Sequence, residues 1–304
     1  MSATVRRTGD VERWRALTLA PAVIVYLALA VLPIVNLLVM SAHDVRWEQG
    51  VAQWTFAGLR HFRELPSDLL VRAGLFNTIL FAILSVAAEM VIGFFLAFFV
   101  TRVLAGRIVY RTVFLLPILI PGIVIGAIWK LMYNPDFGII NQALNAVGLA
   151  GHDWLGTGPL AFASIVVVDV WHWTPFVFLL MLAGLESLPQ DSHEAARIDG
   201  ASAWQELRYV TLPMMLPAIV VTLAFRLIVS FKVFDEVYLL TGGGPGTATE
   251  VISFTIYRRF FTEDRMGYGA AISVVTLFLL AVLIILASAA SRWRRANVAV
   301  QAAQ

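Results

Sequence analysis

The 304-residue chain contains no cysteine, which removes disulfides, thiol catalysis and cysteine-ligated metal sites together. Charge is scarce: Asp, Glu, Lys and Arg make up 14% of the residues, against about a quarter in soluble domains. Lysine is nearly missing, since only Lys130 and Lys232 occur among 22 basic residues, and neither follows a GxxxxG pattern. That excludes a phosphate-binding P-loop, whose lysine must reach the β and γ phosphates. The arginines are scattered in ones and twos among apolar runs, so a net charge of +2 and a pI near 9.1 give no phosphate-tracking face. Nucleic acid is accordingly not expected as a partner. Internal repeats and low-complexity tails are also missing.

What the chain has instead is apolar length. Hydrophobic residues are 60% of the total and the mean hydropathy is +0.81, which is the signature of an integral membrane protein in contact with lipid. A helix needs roughly 20 apolar residues to cross a bilayer core, because every backbone polar group must be satisfied within the segment. Six stretches qualify, at about 16–40, 75–101, 112–132, 160–185, 213–240 and 267–290. The first follows a charged leader but lacks a small-residue cleavage pattern, so it is expected to be an uncleaved span. Pro117 and Pro121 in LLPILIPGIV should kink or break the third.

Arginine distribution orients these spans. With the N-terminus inside, the inner segments hold Arg6, Arg7, Arg13, Arg15, Arg102, Arg107, Arg111, Arg197, Arg208, Arg292, Arg294 and Arg295, twelve in all. The outer loops hold seven: Arg46, Arg60, Arg63, Arg72, Arg258, Arg259 and Arg265. The expected layout is therefore a cytoplasmic segment at 1–15, a membrane domain at 16–290 and a cytoplasmic tail at 291–304. The largest inner loop is then 186–212.

That loop contains EAARIDGASAWQELRYVTLP from Glu194 to Pro213. Asp191 with Glu194, and Ser202 with Gln205, each have capping-box spacing, and Gly200 falls between them where a left-handed helix stop is expected. The predicted form is helix, glycine turn, helix, with Ala195, Ala196 and Ala201 allowing close approach of a partner. Two metal or phosphate readings fail. His193-Glu194-Ala195-Ala196-Arg197 has arginine where a zinc signature needs its second histidine, and the glycines from Gly242 to Gly246 do not match GxGxxG.

Ionisable residues at membrane depth are costly and mark function by default. In the fourth span Asp169, His172, Trp173 and Phe176 fall on one helical arc, and in the fifth Arg226, Val229, Ser230 and Val233 do the same. Aromatic faces beside a carboxylate, imidazole, hydroxyl and guanidinium suit a saccharide. Asp169 with His172, and Lys232 with Asp235, read equally as neutralising pairs within the bundle, and Trp171 and Trp173 as packing aromatics. Arg226 is also compatible with an anionic solute. Glu89 is read as an interhelical hydrogen-bonding group.

The loop motif, with Glu194-Ala195-Ala196, Gly200 four residues later and Leu212-Pro213 beyond, resembles the EAA loop of permease subunits in binding-protein-dependent ATP-binding-cassette (ABC) importers. Val210 stands where that pattern usually has isoleucine. FAGLRHFREL at 56–65, Asn77-Thr78, WHWTPF at 171–176 and SFKVFDEVYLLTGGGP at 230–245 are similar to the carbohydrate branch of the family, the maltose-transporter-like permeases.

The resemblance implies an all-α integral membrane protein with six transmembrane helices and a cytoplasmic coupling-helix loop, the type I ABC importer permease fold. It implies that Glu194, Ala195, Ala196, Asp199 and Gly200 couple to an ATPase. It further implies a midmembrane sugar site at Asp169, His172, Trp173, Phe176, Arg226, Val229, Ser230 and Val233. The expected partners are a second homologous permease, two ATPase subunits that hold ATP and Mg, and a periplasmic or lipid-anchored solute-binding protein. The expected location is the bacterial cytoplasmic (inner) membrane with both termini cytoplasmic. No catalytic residue, metal or cofactor of its own is expected. The competing reading is a stand-alone ion-coupled secondary transporter, in which Asp169, His172 or Glu89 would be ion sites.

Overall fold

A computed structural model describes residues 3–102 and 107–302, with side chains at all of these except 3–12, 48, 102, 107–108 and 286–302. Arg6, Arg7, Arg102, Arg107, Arg292, Arg294 and Arg295 of the charge count thus lie outside the described side chains, as do the ends of the 1–15 and 291–304 segments. The chain divides into two compact units, 1–65 with 256–275 and 66–255 with 276–304.

The first unit opens with α1 (Ala3–Ser41). Its most apolar window has none of its residues buried within the chain, as expected of a helix that meets lipid or another subunit. A hairpin follows, β1 (His43–Glu48) and β2 (Val51–Phe56), antiparallel with His43 opposite Phe56 and Glu48 opposite Val51. An all-α expectation did not include it. Gln49 and Gly50 both take positive φ, 52° and 79°, which is what a two-residue turn matched to strand twist demands. The short α2 (Arg60–Glu64) pairs back on the hairpin: Arg60 bonds Asp44, and His61 lies 3.2 Å from the same carboxylate. Burial works against the ionised Asp44, but Arg60 and His61 hold its carboxyl below the usual range.

The second unit is built on α3 (Leu69–Arg102), α4 (Arg107–Leu115), α5 (Gly122–Met132), α6 (Ile139–Ala146) and α7 (Gly158–Glu186). After α7 come α8 (Gln190–Ile198), α9 (Ala203–Glu206), α10 (Leu212–Ser230), α11 (Asp235–Leu240) and α12 (Ile252–Tyr257), and α13 (Met266–Ala302) closes the chain. Among the described residues, five stretches are long and apolar enough to cross a membrane: Arg13–Ser41, Leu69–Thr101, Gly158–Glu186, Ala203–Leu240 and Met266–Ile285. The third expected span, 112–132, is broken. Pro117 opens a 3₁₀ turn to Leu119, and Pro121, with extended ψ of 139°, caps the start of α5. Each proline lacks the N–H that a continuous helix needs.

The core of this unit joins α3 to α7 through Phe94, Ala97 and Val100 against Val177, Phe178, Met181 and Leu182, with Met215 of α10 beside them. Glycines permit the approach. A Cβ on Gly93 would stand 2.8 Å from Val177 and 3.0 Å from the Phe178 backbone nitrogen, and one on Gly184 would stand 2.9 Å from Met215 and Ala218. Small residues at helix contacts are how membrane helices gain van der Waals contact when lipid removes the hydrophobic drive. Asn77 and Thr78 secure α3 to the later chain. Asn77 donates to the carbonyls of Thr247 and Glu250, both at 2.9 Å, and Thr78 accepts from the Ile252 N–H at 2.9 Å.

Gly93→Val is expected to destabilise the protein by about 1–3 kcal/mol, the range for overpacking a close contact. Thermal unfolding of the detergent-purified protein measures this, and an unchanged midpoint would show that α3 and α7 part without cost.

Candidate functional site

Within the second unit the membrane-depth charges converge on Arg226. Its Nε and Nη2 both donate to the Glu89 carboxylate, the Nη2 bond to Oε1 being 2.5 Å, and Nη2 also donates to Asp169 Oδ2 at 3.0 Å. Arg226 and Glu89 are fully buried and Asp169 nearly so. The guanidinium lies over the Trp173 ring, 4.6 Å from its centroid, so a planar cation is matched on its edge by carboxylates and on its face by a π system. Its Nη1 is buried and makes no hydrogen bond among the described residues. Three helices, α3, α7 and α10, are thereby held by one residue.

Beside this cluster is a cavity of about 250 Å³. One wall is Asp169, His172 and Trp173 of α7; the other is Val229 at the end of α10 and the run Lys232–Glu236, with Gly122 also in contact. Five of the eight expected site residues, Asp169, His172, Trp173, Val229 and Val233, thus line one cavity. The other three stand behind it. Arg226 is occupied by its carboxylates, the buried Ser230 hydroxyl donates to the Arg226 carbonyl at 2.9 Å, and Phe176 packs on Phe225 with ring centroids 4.7 Å apart.

The expected pairings are corrected. His172 bonds Glu236 through Nδ1 at 3.3 Å rather than Asp169, whose partner is Arg226. Among the described residues Lys232 and Asp235 form no ion pair. The spacing of three residues pairs side chains only on a continuous helix, and here α10 stops at Ser230 and α11 starts afresh at Asp235. Asp235 instead sits against Gly122, where a Cβ would stand 2.7 Å from its carboxylate oxygen. Glu236 was not singled out from sequence; the Asp235-Glu236 doublet at membrane depth was the signal available. Glu89 is an interhelical partner, as read.

The loop between α7 and α10 has the predicted form. Gly200 takes φ +77° between α8 and α9. Ser202 and Gln205 form a capping box, with Gln205 Oε1 accepting from the Ser202 N–H at 2.7 Å and Ser202 Oγ accepting from the Gln205 N–H at 3.3 Å. The Asp191 cap is corrected: α8 begins at Gln190 with Pro189 as N-cap, so Asp191 already lies within the first turn, and no side chain caps the helix. Glu194, Ala195, Asp199 and Gly200 are exposed and Ala196 is half-buried. Sequence reading missed the brace beneath them. Buried Glu206 accepts from His193 at 2.8 Å and from Arg197 at 3.5 Å, which ties α8 to α9. Ile198 and Trp204, 85% and 63% exposed, leave apolar side chains uncovered on this elbow.

Comparisons with known proteins identify the family. Residues 89–296 match the family described as binding-protein-dependent transport system inner membrane component, and the chain belongs to that family. It is an integral membrane permease component of the ABC type and not an enzyme. It is 38% identical to the trehalose/maltose transport system permease protein MalF of Thermococcus litoralis, over 92% of this chain and 94% of that one. A crystal structure of a bacterial ABC transporter that imports the acidic polysaccharide alginate has a chain of the same fold. The TM-score is 0.81 at 25% identity, covering 94% of this chain and 98% of that one. The alginate transporter in complex with a pentasaccharide-bound periplasmic protein matches equally, with a TM-score of 0.81 at 24% identity over 93% and 96% of the two chains.

Arg226→Ala is expected to lower stability by about 3–5 kcal/mol, because it leaves two buried carboxylates without their cation. Unfolding of purified protein checks this: a midpoint equal to that of the parent would remove the cluster from the fold's foundations.

Proposed function

We propose that this chain carries a sugar across the bacterial cytoplasmic membrane as one of two permeases in an ATP-driven importer. The observation that carries the proposal is connectivity: the exposed elbow of α8 and α9 joins α7, which supplies one cavity wall, to α10, whose end at Val229 and the Lys232–Glu236 run after it supply the other. Movement imposed on the elbow therefore reaches the cavity through continuous helix. In this reading α4 and α5 together make a broken third passage, completing six, and the excess of arginine on the inner segments places both termini in the cytoplasm.

Two ATPase subunits, holding ATP and Mg, would seat Glu194, Ala195, Ala196, Asp199 and Gly200. The uncovered Ile198 and Trp204 supply apolar contact for such a partner. A second, similar permease completes the cavity, and a solute-binding protein delivers the sugar from outside, as the alginate importer's complex with a periplasmic protein illustrates. Closure of the ATPases on ATP opens the cavity outward, and hydrolysis resets it. A trehalose/maltose relative and the aromatic and polar side chains of the cavity support the sugar assignment. The ion-driven alternative finds its candidate sites already paired, Glu89 and Asp169 with Arg226 and His172 with Glu236.

Reconstitution into liposomes with the second permease, ATPases and binding protein tests the reading: uptake of saccharide is expected only with all of them and ATP. Glu194→Ala and Gly200→Pro should each insert normally yet lose most coupling of hydrolysis to uptake, since proline cannot adopt the positive φ that the turn requires. Sugar uptake by this chain alone, or full uptake by both variants, would overturn it.

A further inference from the structure

We infer that the cavity admits uncharged saccharides and turns away acidic ones, an inference that rests on the sugar-permease reading above. The charges are unequal. Asp169, Asp235 and Glu236 face the cavity, and the basic side chain lining it is Lys232; His172 is engaged by Glu236. The other cation nearby, Arg226, is withdrawn from solute. It is fully buried, its Nε and Nη2 are bonded to Glu89 and Asp169, the Trp173 ring covers its face, and it does not line the cavity.

Counting Glu89, four carboxylates stand against two permanent cations. Among the described residues Asp235 has no ion-pair partner and Glu236 is paired with an imidazole, so an entering carboxylate would meet like charges in a setting where they are poorly screened. A hydroxyl, by contrast, is a donor that these carboxylates accept, and Trp173 lines the same cavity as an apolar surface for sugar C–H groups. Discrimination by repulsion is as effective as by attraction. Similarity to a trehalose/maltose permease and to an alginate importer points both ways on charge, so the decision lies with this chain's own residues.

The test uses the assembled permease–ATPase complex in nanodiscs without binding protein, so that the binding protein's own selectivity does not intervene. Calorimetry would compare trehalose and maltose with derivatives in which one C6 hydroxymethyl is replaced by aminomethyl or carboxylate. The parent sugars and amines are expected to bind, and the carboxylates to bind about tenfold more weakly or worse. The Asp235→Asn/Glu236→Gln pair should shrink that gap. Carboxylates binding as tightly as the parent sugars would overturn the inference and leave the sugar-permease reading standing. A gap unchanged in a stably assembled double variant would overturn the assignment to Asp235 and Glu236. Binding of none of the panel would overturn the sugar reading and this inference with it.

Discussion

A guanidinium cannot be left charged and unpaired at membrane depth, and Arg226 is where this chain meets that constraint. The cost of burying it is offset only by close, well-directed partners, and those partners come from two other helices: Glu89 from α3 and Asp169 from α7. The bidentate bond to Glu89 fixes the guanidinium plane, and the plane fixes where Trp173 must lie to face it. Trp173 in turn is one wall of the cavity. The position of a cavity-lining aromatic is thus set by the ion cluster beside it.

The same chain of contacts runs toward the other end of the bundle. Glu206 braces α8 against α9 through His193 and Arg197, so the elbow is a unit rather than two loose turns. From Glu206 the backbone passes through a π-helical turn, Leu207–Thr211, into α10, which ends at Ser230, whose hydroxyl bonds back to the Arg226 carbonyl. On the other side α7 runs unbroken from Asp169 to Glu186. A stiff elbow joined to two helices that share an ion cluster and a glycine contact at Gly184 has few soft places in which displacement would dissipate. π-turns mark the positions where a helix departs from regular hydrogen bonding, and this one sits at the join between elbow and span.

Apolar length and helical periodicity are local properties, and they were legible. The long spans, the proline break at Pro117 and Pro121, the Gly200 turn and the Ser202 box all follow from residues within a few positions of one another. The arc of Asp169, His172 and Trp173 was equally readable, because α7 is continuous through it. Failure came where the period was interrupted or the partner was distant. The Lys232–Asp235 pairing was read on a helix that stops at Ser230. The partners of Arg226 are 137 and 57 residues away, and no local rule selects Glu89 over Glu236 for it. The hairpin at 43–56 was hidden because its strands are six residues long and its turn, Gln49-Gly50, departs from the commoner Asn-Gly signal.

The cavity is smaller than the roughly 300–1,000 Å³ usual for small-molecule sites, and among the described residues its walls come from α7, the α10–α11 segment and Gly122. If a second permease finishes the site, as proposed, it is constrained by what this chain already presents. A strongly basic face opposite Asp235 and Glu236 would be drawn into ion pairs with them, and low-dielectric surroundings would make those pairs hard to open. Cations so engaged would no longer be available to an acidic solute, just as Arg226 is not. The surplus of carboxylates therefore biases the site whichever neighbour completes it: a neutral face leaves an acidic cavity, and a basic face closes it.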